Sequence, residues 1–357
     1  MALTQVETSG LSGSGASSNS TTGNVFSQTG PFKNRIINGD MRIDQRNAGA
    51  SVTPSNSYTL DRWTTYNSPA SKFTVQQASD GPAGFQKSLK VTSSSAYTVA
   101  AGEFQGVLTK IEGYNIADLA WGTASAKTAT LSFWVKSSLT GTFGGSLTNA
   151  GYARSYPFSY SISSANTWEY KTITIAGDTS GTWETTTSTG IELTFGLGVG
   201  STYSAAAGTW VGSWIASATG ATSVVGTNGA TFYITGVQLE AGTSATQFER
   251  RSYGQELALC QRYYTYFGGK AGSNLIFQGY SGGSSFPTIN QLVFPSRMRT
   301  SPTIAREGTW TASNVSTLDF GYVNEMNLSV SAVTSGSGNF YIFADSADDK
   351  ITASAEL

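Results

Sequence analysis

The sequence predicts an all-β protein: a jelly-roll β-sandwich, a short connecting helix and a smaller C-terminal β-domain. Three observations carry that prediction. The 357 residues include 41 glycines, with only 12% charged and 12% aromatic residues, a composition suited to short strands joined by tight turns. Apolar residues alternate with polar ones in several runs, the period of a half-buried strand. Such runs recur between Gly, Ser and Asn turns from residue 31 to residue 250 without helical punctuation, which argues for two packed antiparallel sheets, best arranged as a jelly roll.

Residues 1–30 come first and are rich in Ser, Thr and Gly, as in "TSGLSGSGASSNSTTGNVFSQTG" (8–30). Such a segment cannot bury a core of its own. It reads as a flexible tail or as a peptide ordered by a partner, and we adopt the second, an N-terminal anchor to a larger assembly.

The sandwich is expected over residues 31–250. In "IELTFGLGV" Ile191, Leu193, Phe195, Leu197 and Val199 share one face, with Glu192 and Thr194 on the other. "TLSFWVK" (130–136) turns Leu131, Phe133 and Val135 inward and Trp134 and Lys136 outward. "WEYKTITI" (168–175) has a similar pattern. In "TFYITGVQLE" (231–240) the apolar phase shifts across Gly236, as a β-bulge would cause.

A helix is expected over residues 251–269. Ser252 followed by Gln255 fits a capping box, and Gly268-Gly269 supplies a stop. Between them Tyr253, Leu257, Cys260, Tyr264 and Phe267 recur at heptad-like spacing. The stripe either packs on its own chain or brings three copies together as a trimer interface. Residues 270–357 then form the small β-domain, in which the two prolines of "FPSRMRTSP" (294–302) exclude a central strand.

The composition also excludes chemistry. There is no histidine, so His-dependent triads, His general bases and His-ligated zinc are ruled out. The one cysteine, Cys260, allows no intrachain disulfide and reads as a buried thiol among Leu257, Ala258 and Leu259. A formal net charge of −1 attracts neither nucleic acid nor an anionic membrane. No apolar stretch is long enough to span a bilayer, and the N-terminus lacks the pattern of a secretory signal. Asp118, Glu169, Glu184, Glu192 and Asp319 stand apart from one another in sequence, and "DSADD" (345–349) lacks the pattern of an EF-hand. No enzymatic activity and no cofactor are expected; the sequence leaves metal binding open.

Four stretches carry a resemblance. "NRIINGDMRIDQRN" (34–47), "YTLDRW" (58–63), "ITGVQLEAGTSATQFERRSYGQELALCQRYY" (234–264) and "VFPSRMRTSPTI" (293–304), in that order, resemble the signature of tail-fibre and related receptor-binding structural proteins of tailed bacteriophages. The resemblance implies a jelly-roll, carbohydrate-module-like domain in a homotrimeric fibre, with the tyrosine-bearing helix as a joint between domains. Taken together with the N-terminal anchor read above, it points to a virion protein, made in the host cytoplasm, that adheres to the host surface through glycans and attaches to a tail or baseplate protein through residues 1–30. A purely structural decoration or head fibre is the alternative, and a glycan depolymerase stands third. Of the motif residues, Arg62 is expected to pin a sheet corner with Asp61 or Glu240. Glu249, Arg250 and Arg251 either pair between subunits or lie solvated.

Sugar binding needs aromatic faces with polar groups nearby. Trp183, Tyr203, Trp210 and Trp214 lie in Gly/Ser/Thr-rich surroundings and are the candidates in the sandwich. Trp210 and Trp214, an even number apart, would form a two-indole platform if both lay on one strand. Trp310, Tyr322 and Tyr341 are the candidates in the C-terminal domain.

Overall fold

The computed structural model describes residues 32–70, 72–269, 274–283 and 287–357. The expected anchoring segment 1–30 lies outside the described residues. The first part of the chain contains β1 (Tyr58–Leu60), β2 (Trp63–Ser68), β3 (Phe73–Ala78), β4 (Ser88–Ser93), β5 (Phe104–Glu112) and β6 (Ala129–Ser137). Next come β7 (Gly141–Asn149), β8 (Ser155–Ile162), β9 (Glu169–Ile175), β10 (Thr189–Val199), the short β11 (Ser204–Ala205) and β12 (Ser217–Ala218), and β13 (Thr231–Ala241).

These strands make a jelly-roll sandwich. One sheet has the order β1-β2-β5-β10-β7-β8 and the other β3-β4-β13-β6-β9, all neighbours antiparallel. Their inner faces meet in one core. Phe133 of β6 and Phe195 of β10 join the sheets with ring centres 5.1 Å apart, and both are fully buried. Each such side chain contributes roughly 1.5–3 kcal/mol by leaving water.

The alternating runs take the predicted phases, with two local shifts. In β13 the register slips between Thr235 and Gln238 at Gly236, whose φ is +61°, the bulge signalled by the change of apolar phase. In β10 a slip between Gly196 and Gly198 places Val199 opposite Phe104, on the outer face. The expected common face therefore ends at Leu197.

The helix is shorter than expected. α1 spans Tyr253–Gln261 and starts with the predicted capping box between Ser252 and Gln255. It does not continue to residue 269. "YYTYF" is rich in strand-forming residues, and β14 (Tyr264–Gly268) pairs with the last strand of the chain instead. Gly268 and Gly269, at φ +84° and +72°, therefore end a strand. The heptad-like stripe is divided between two elements and makes no common trimer face. Leu257 and Cys260 pack with Ile37, Ile43 and Tyr263. The Tyr264 ring lies 3.6 Å from the Arg46 guanidinium carbon, and Phe267 stacks on Phe294. Only Tyr253 is largely exposed, at 57%.

The remaining strands are β15 (Asn274–Ser281), β16 (Pro287–Val293), β17 (Thr303–Glu307), β18 (Thr311–Ser313), β19 (Val315–Gly321), β20 (Asn327–Thr334), β21 (Gly338–Ala344) and β22 (Lys350–Ser354). They form three-stranded sheets β14-β22-β17, β15-β21-β18 and β16-β20-β19. "FPSRMRTSP" is irregular, as its prolines require, and buries Phe294 and Met298.

After β22 the chain returns to the sandwich and closes a buried charged joint. Arg62, 1% exposed, pairs with Glu356 and lies over the Tyr263 ring. Arg46 reaches the other Glu356 oxygen at 2.8 Å. Arg262 makes a two-pronged pair with Glu112, which also accepts from the Tyr263 hydroxyl. Arg299 donates to the carbonyls of Thr187, Ala355 and Glu356. Burial, the largest single influence, lowers the Arg62 pKa, and Glu356 together with Tyr263, Tyr58 and Cys260 outweighs it, so the net shift is upward.

Arg62 thus pairs with neither Asp61 nor Glu240. Asp61 accepts from Gln45, and Glu240 from Gln238 and Thr246. Glu249 accepts from the backbone N–H groups of Phe32 and Asn34 and pairs with Arg251, so these charges are engaged within the chain.

Candidate functional site

The site builds on the outer face of the six-stranded sheet. Register places Tyr66, Gly106 and Gly196 side by side there; Thr64, Leu108, Thr194 and Ser146 make the next outward row, and Lys110, Glu192 and Thr148 the one after it. Glycines keep part of this face low. A Cβ on Gly144 would lie 2.5 Å from Ser217 Oγ, and one on Gly196 2.8 Å from the same atom. The segment 200–218 can therefore lie flat on the sheet.

That segment brings Tyr203 and Trp214 onto the sheet. Trp214 has ring centres of Tyr203 at 4.6 Å, Phe104 at 4.8 Å, Tyr66 at 5.9 Å and Tyr152 at 6.1 Å. The five rings form a half-buried patch, Tyr152 being 38% exposed. Tilted and edge-on packing of this kind holds rings rigidly. Tyr152 sits in the β7–β8 turn with φ +54°. Asn149 holds that turn by accepting from the N–H groups of Ala153 and Arg154, each at 3.0 Å.

At the edge of the patch, under Tyr152, lies Glu192, 1% exposed. Its Oε2 accepts from the Tyr152 hydroxyl at 3.4 Å, and that hydroxyl is 2.9 Å from the hydroxyl of Tyr66. Its Oε1 has no partner among the described residues. Burial pushes the carboxyl up to about 7, opposed by the charge of Lys110 and the bond from Tyr152. Burial and the neighbouring Glu192 also raise the pKa of Tyr152. The arrangement offers ring faces and edges and two phenolic hydroxyls, a set suited to ring hydroxyls of a sugar, while the sealed Glu192 carboxyl holds Tyr152 in place. Among the described residues no three His, Cys, Asp or Glu side chains group as a metal site.

Two predicted residues, Tyr203 and Trp214, meet in this patch; the others lie elsewhere. Trp183 is a core residue, 7% exposed, whose Nε1 donates to the Ser180 carbonyl. Trp210 packs against Trp121, Trp183 and Tyr156 and donates to the Ala176 carbonyl at 2.7 Å. The two-indole platform does not form, because residues 206–216 are not a strand: the chain bends at Gly212 and Ser213, between the two indoles. Trp210 and Trp214 consequently belong to different clusters.

In the C-terminal domain Trp310 donates to the Glu307 carbonyl and lines a small cavity of about 120 Å3 with Leu318 and Ile342. Tyr322 is 85% exposed just after β19, and Tyr341 packs on Phe343 in β21. They belong to different sheets and make no common face.

Sequence reasoning missed Tyr66, Phe104 and Tyr152 and assigned Glu192 no site. The usable signal was a carboxylate on the polar phase of a strand otherwise walled by glycine and threonine.

No protein-family model and no curated protein sequence matches the chain. Among solved structures, a putative sugar binding protein from Bacteroides thetaiotaomicron is similar at 13% identity and a TM-score of 0.36, covering 58% of this chain and all of that one. The family 11 carbohydrate-binding module of a Clostridium thermocellum cellulase matches at 13% identity and a TM-score of 0.28, over 56% of this chain and 100% of the module. The enzymatically active domain of tailspike protein 4 from bacteriophage CBA120 matches at 14% identity and a TM-score of 0.33, over 60% of this chain. This chain spans only 22% of the length of that tailspike chain.

Proposed function

We propose that the chain is an adhesive fibre subunit of a tailed bacteriophage, binding host-surface glycans through the aromatic patch centred on Trp214. The observation that carries the binding reading is five contiguous rings in a half-buried patch on the sheet, with a buried carboxyl held at its edge by the Tyr152 hydroxyl. The resemblance of the four sequence stretches supports the phage assignment. In this reading residues 1–30 attach the chain to a tail or baseplate protein in the virion, and the protein binds without cleaving. Assembly as a homotrimer would multiply a weak single site through effective concentration.

The test is binding of the labelled full chain to bacterial surface polysaccharides, with release of reducing sugar assayed in parallel. Saturable binding weakened about tenfold by Tyr203→Ala, with no sugar released, supports the reading. Sugar release favours a depolymerase. Absence of binding by folded protein favours a structural virion fibre.

A further inference from the structure

The outer face of the other sheet carries a second aromatic surface of different character. Alternation along β3, β4, β13, β6 and β9 turns Thr74, Gln76, Lys90, Thr92, Thr231, Tyr233, Trp134, Lys136 and Tyr170 outward. No leucine, isoleucine or valine stands in this set. That composition is unlike an apolar protein interface, whose buried centre is depleted in charge.

The aromatic residues here are contiguous. Trp134 and Tyr170 face each other on neighbouring strands with ring centres 5.3 Å apart, and Tyr170 is 43% exposed. At the Gly236 bulge the Phe85 ring and the Trp134 edge come within 2.8 and 3.2 Å of where a Cβ would stand. Only glycine lets the two approach over the bulge. Phe248 continues the row, 5.2 Å from Phe85. Beside it, Trp168 and Tyr233 pack at 6.1 Å.

Cations accompany the rings. Lys136 lies 4.3 Å from the Tyr233 ring centre and 5.1 Å from that of Trp168, and it pairs with Asp80. Lys90 and Arg250 rest on ring faces, 5.7 Å from Tyr233 and 4.5 Å from Phe85. Neither is in a salt bridge among the described residues; Lys90 lies within reach of the Asp80 charge and Arg250 of the Asp40 charge, and a ligand carboxylate would compete with these for them.

We infer that this face binds an acidic polysaccharide, sugar rings stacking on Trp134 and Tyr170 while carboxylates meet Lys90 and Arg250. Trp134 and Tyr170 stand on neighbouring strands with their planes 50° to each other, so they offer a sugar chain two inclined ring faces rather than one flat platform. The Ser, Thr and Gln side chains between them suit sugar hydroxyls. Asp80, in the loop after β3, neutralises Lys136, which leaves too few free cations for the dense charge of a nucleic acid. The face is separate from the Trp214 patch, so the inference does not depend on that one.

The experiment is titration calorimetry of the full chain with polygalacturonate, with neutral dextran and a thymidine oligonucleotide as comparisons. Polygalacturonate is expected to bind and dextran to bind at least tenfold more weakly. Tyr170→Ala and Trp134→Ala should each weaken polygalacturonate at least tenfold. Lys90→Gln with Arg250→Gln should weaken it several-fold and flatten its salt dependence. Unaltered circular dichroism and melting temperature of Tyr170→Ala show that the loss is not unfolding, and Tyr203→Ala should leave this binding intact. Equal binding of dextran, tighter binding of the oligonucleotide, no binding of polygalacturonate, or indifference to Tyr170→Ala and the Lys90/Arg250 variant each overturns the inference.

Discussion

Replacing Glu192 with glutamine should change how the protein's stability responds to pH. The carboxyl is 1% exposed, and its pKa is raised from 4.5 to about 7 by burial. The folded protein therefore holds this proton more tightly than the unfolded chain does. Stability from the group is fully present below about pH 4.5 and is lost as pH rises through about 7. At about 1.4 kcal/mol per pH unit, the gap between 4.5 and about 7 corresponds to about 3 kcal/mol lost in wild type between pH 4.5 and pH 8. Glutamine fills the same space and does not titrate, so the variant should lack this loss.

The assay is urea denaturation of both proteins at a series of pH values. Asp61, raised by burial to about 6, adds its own dependence in the same window, but it is present in both proteins and cancels in the difference. The wild-type minus variant free energy should fall by about 3 kcal/mol across the series. A difference independent of pH would refute the argument that Glu192 is buried at the edge of the patch with only Lys110 and Tyr152 to favour its charge.

Three further outcomes follow from the geometry. Gly144→Ala should displace Ser217 and Ala218, whose Oγ and N would lie 2.5 and 2.8 Å from the new methyl group; we expect a loss of about 1–3 kcal/mol by denaturation and weaker binding at the Trp214 patch. Arg62→Ala should cost roughly 3–5 kcal/mol by leaving Glu356 buried without one of its two arginine partners, whereas replacing the whole triad, Arg46→Met, Arg62→Met and Glu356→Leu, should recover most of that in the same urea assay. Cys260, fully buried with its thiol pKa pushed well up by burial, should react with an aromatic disulfide reagent only as the protein unfolds, followed by absorbance against denaturant.

The strands of the sandwich were legible because one face of each is buried, and burial on one face writes a period of two into the sequence. β10 and β13 show this down to the bulge at Gly236. The end of the helix was not legible. Heptad spacing continues through Tyr264 and Phe267, and the partner that draws those residues into a strand is β22, more than eighty residues later. The Trp214 patch was half legible for a related reason. Tyr203 and Trp214 stand in polar surroundings that mark them as surface aromatics, but Tyr66, Phe104 and Tyr152 reach them from three other places in the chain. Trp183 and Trp210 stand in equally polar stretches, and only the packing against Trp121 shows that their indoles belong inside.

The four sequence stretches that carry the phage resemblance share a place in the molecule more than a ligand. Arg46, Arg62, Tyr263 and Arg299 come one from each stretch and converge on the joint that the last residues close. Burying so many charges has a large desolvation cost, which their pairing only roughly offsets. Such a joint is a poor source of stability and a good source of geometry, since each arginine accepts few orientations of its partner. The resemblance therefore reports how the C-terminal domain is set against the sandwich. The Trp214 patch takes no residue from the four stretches, whereas Gly236, Phe248 and Arg250 of the second surface lie within the third, so the frame can carry a different patch on the first face more freely than on the second. Arg62→Ala and Tyr203→Ala should accordingly separate the two roles: the first should lower stability and leave binding by the remaining folded protein unchanged, while the second should lower binding with little change in the urea midpoint of the joint.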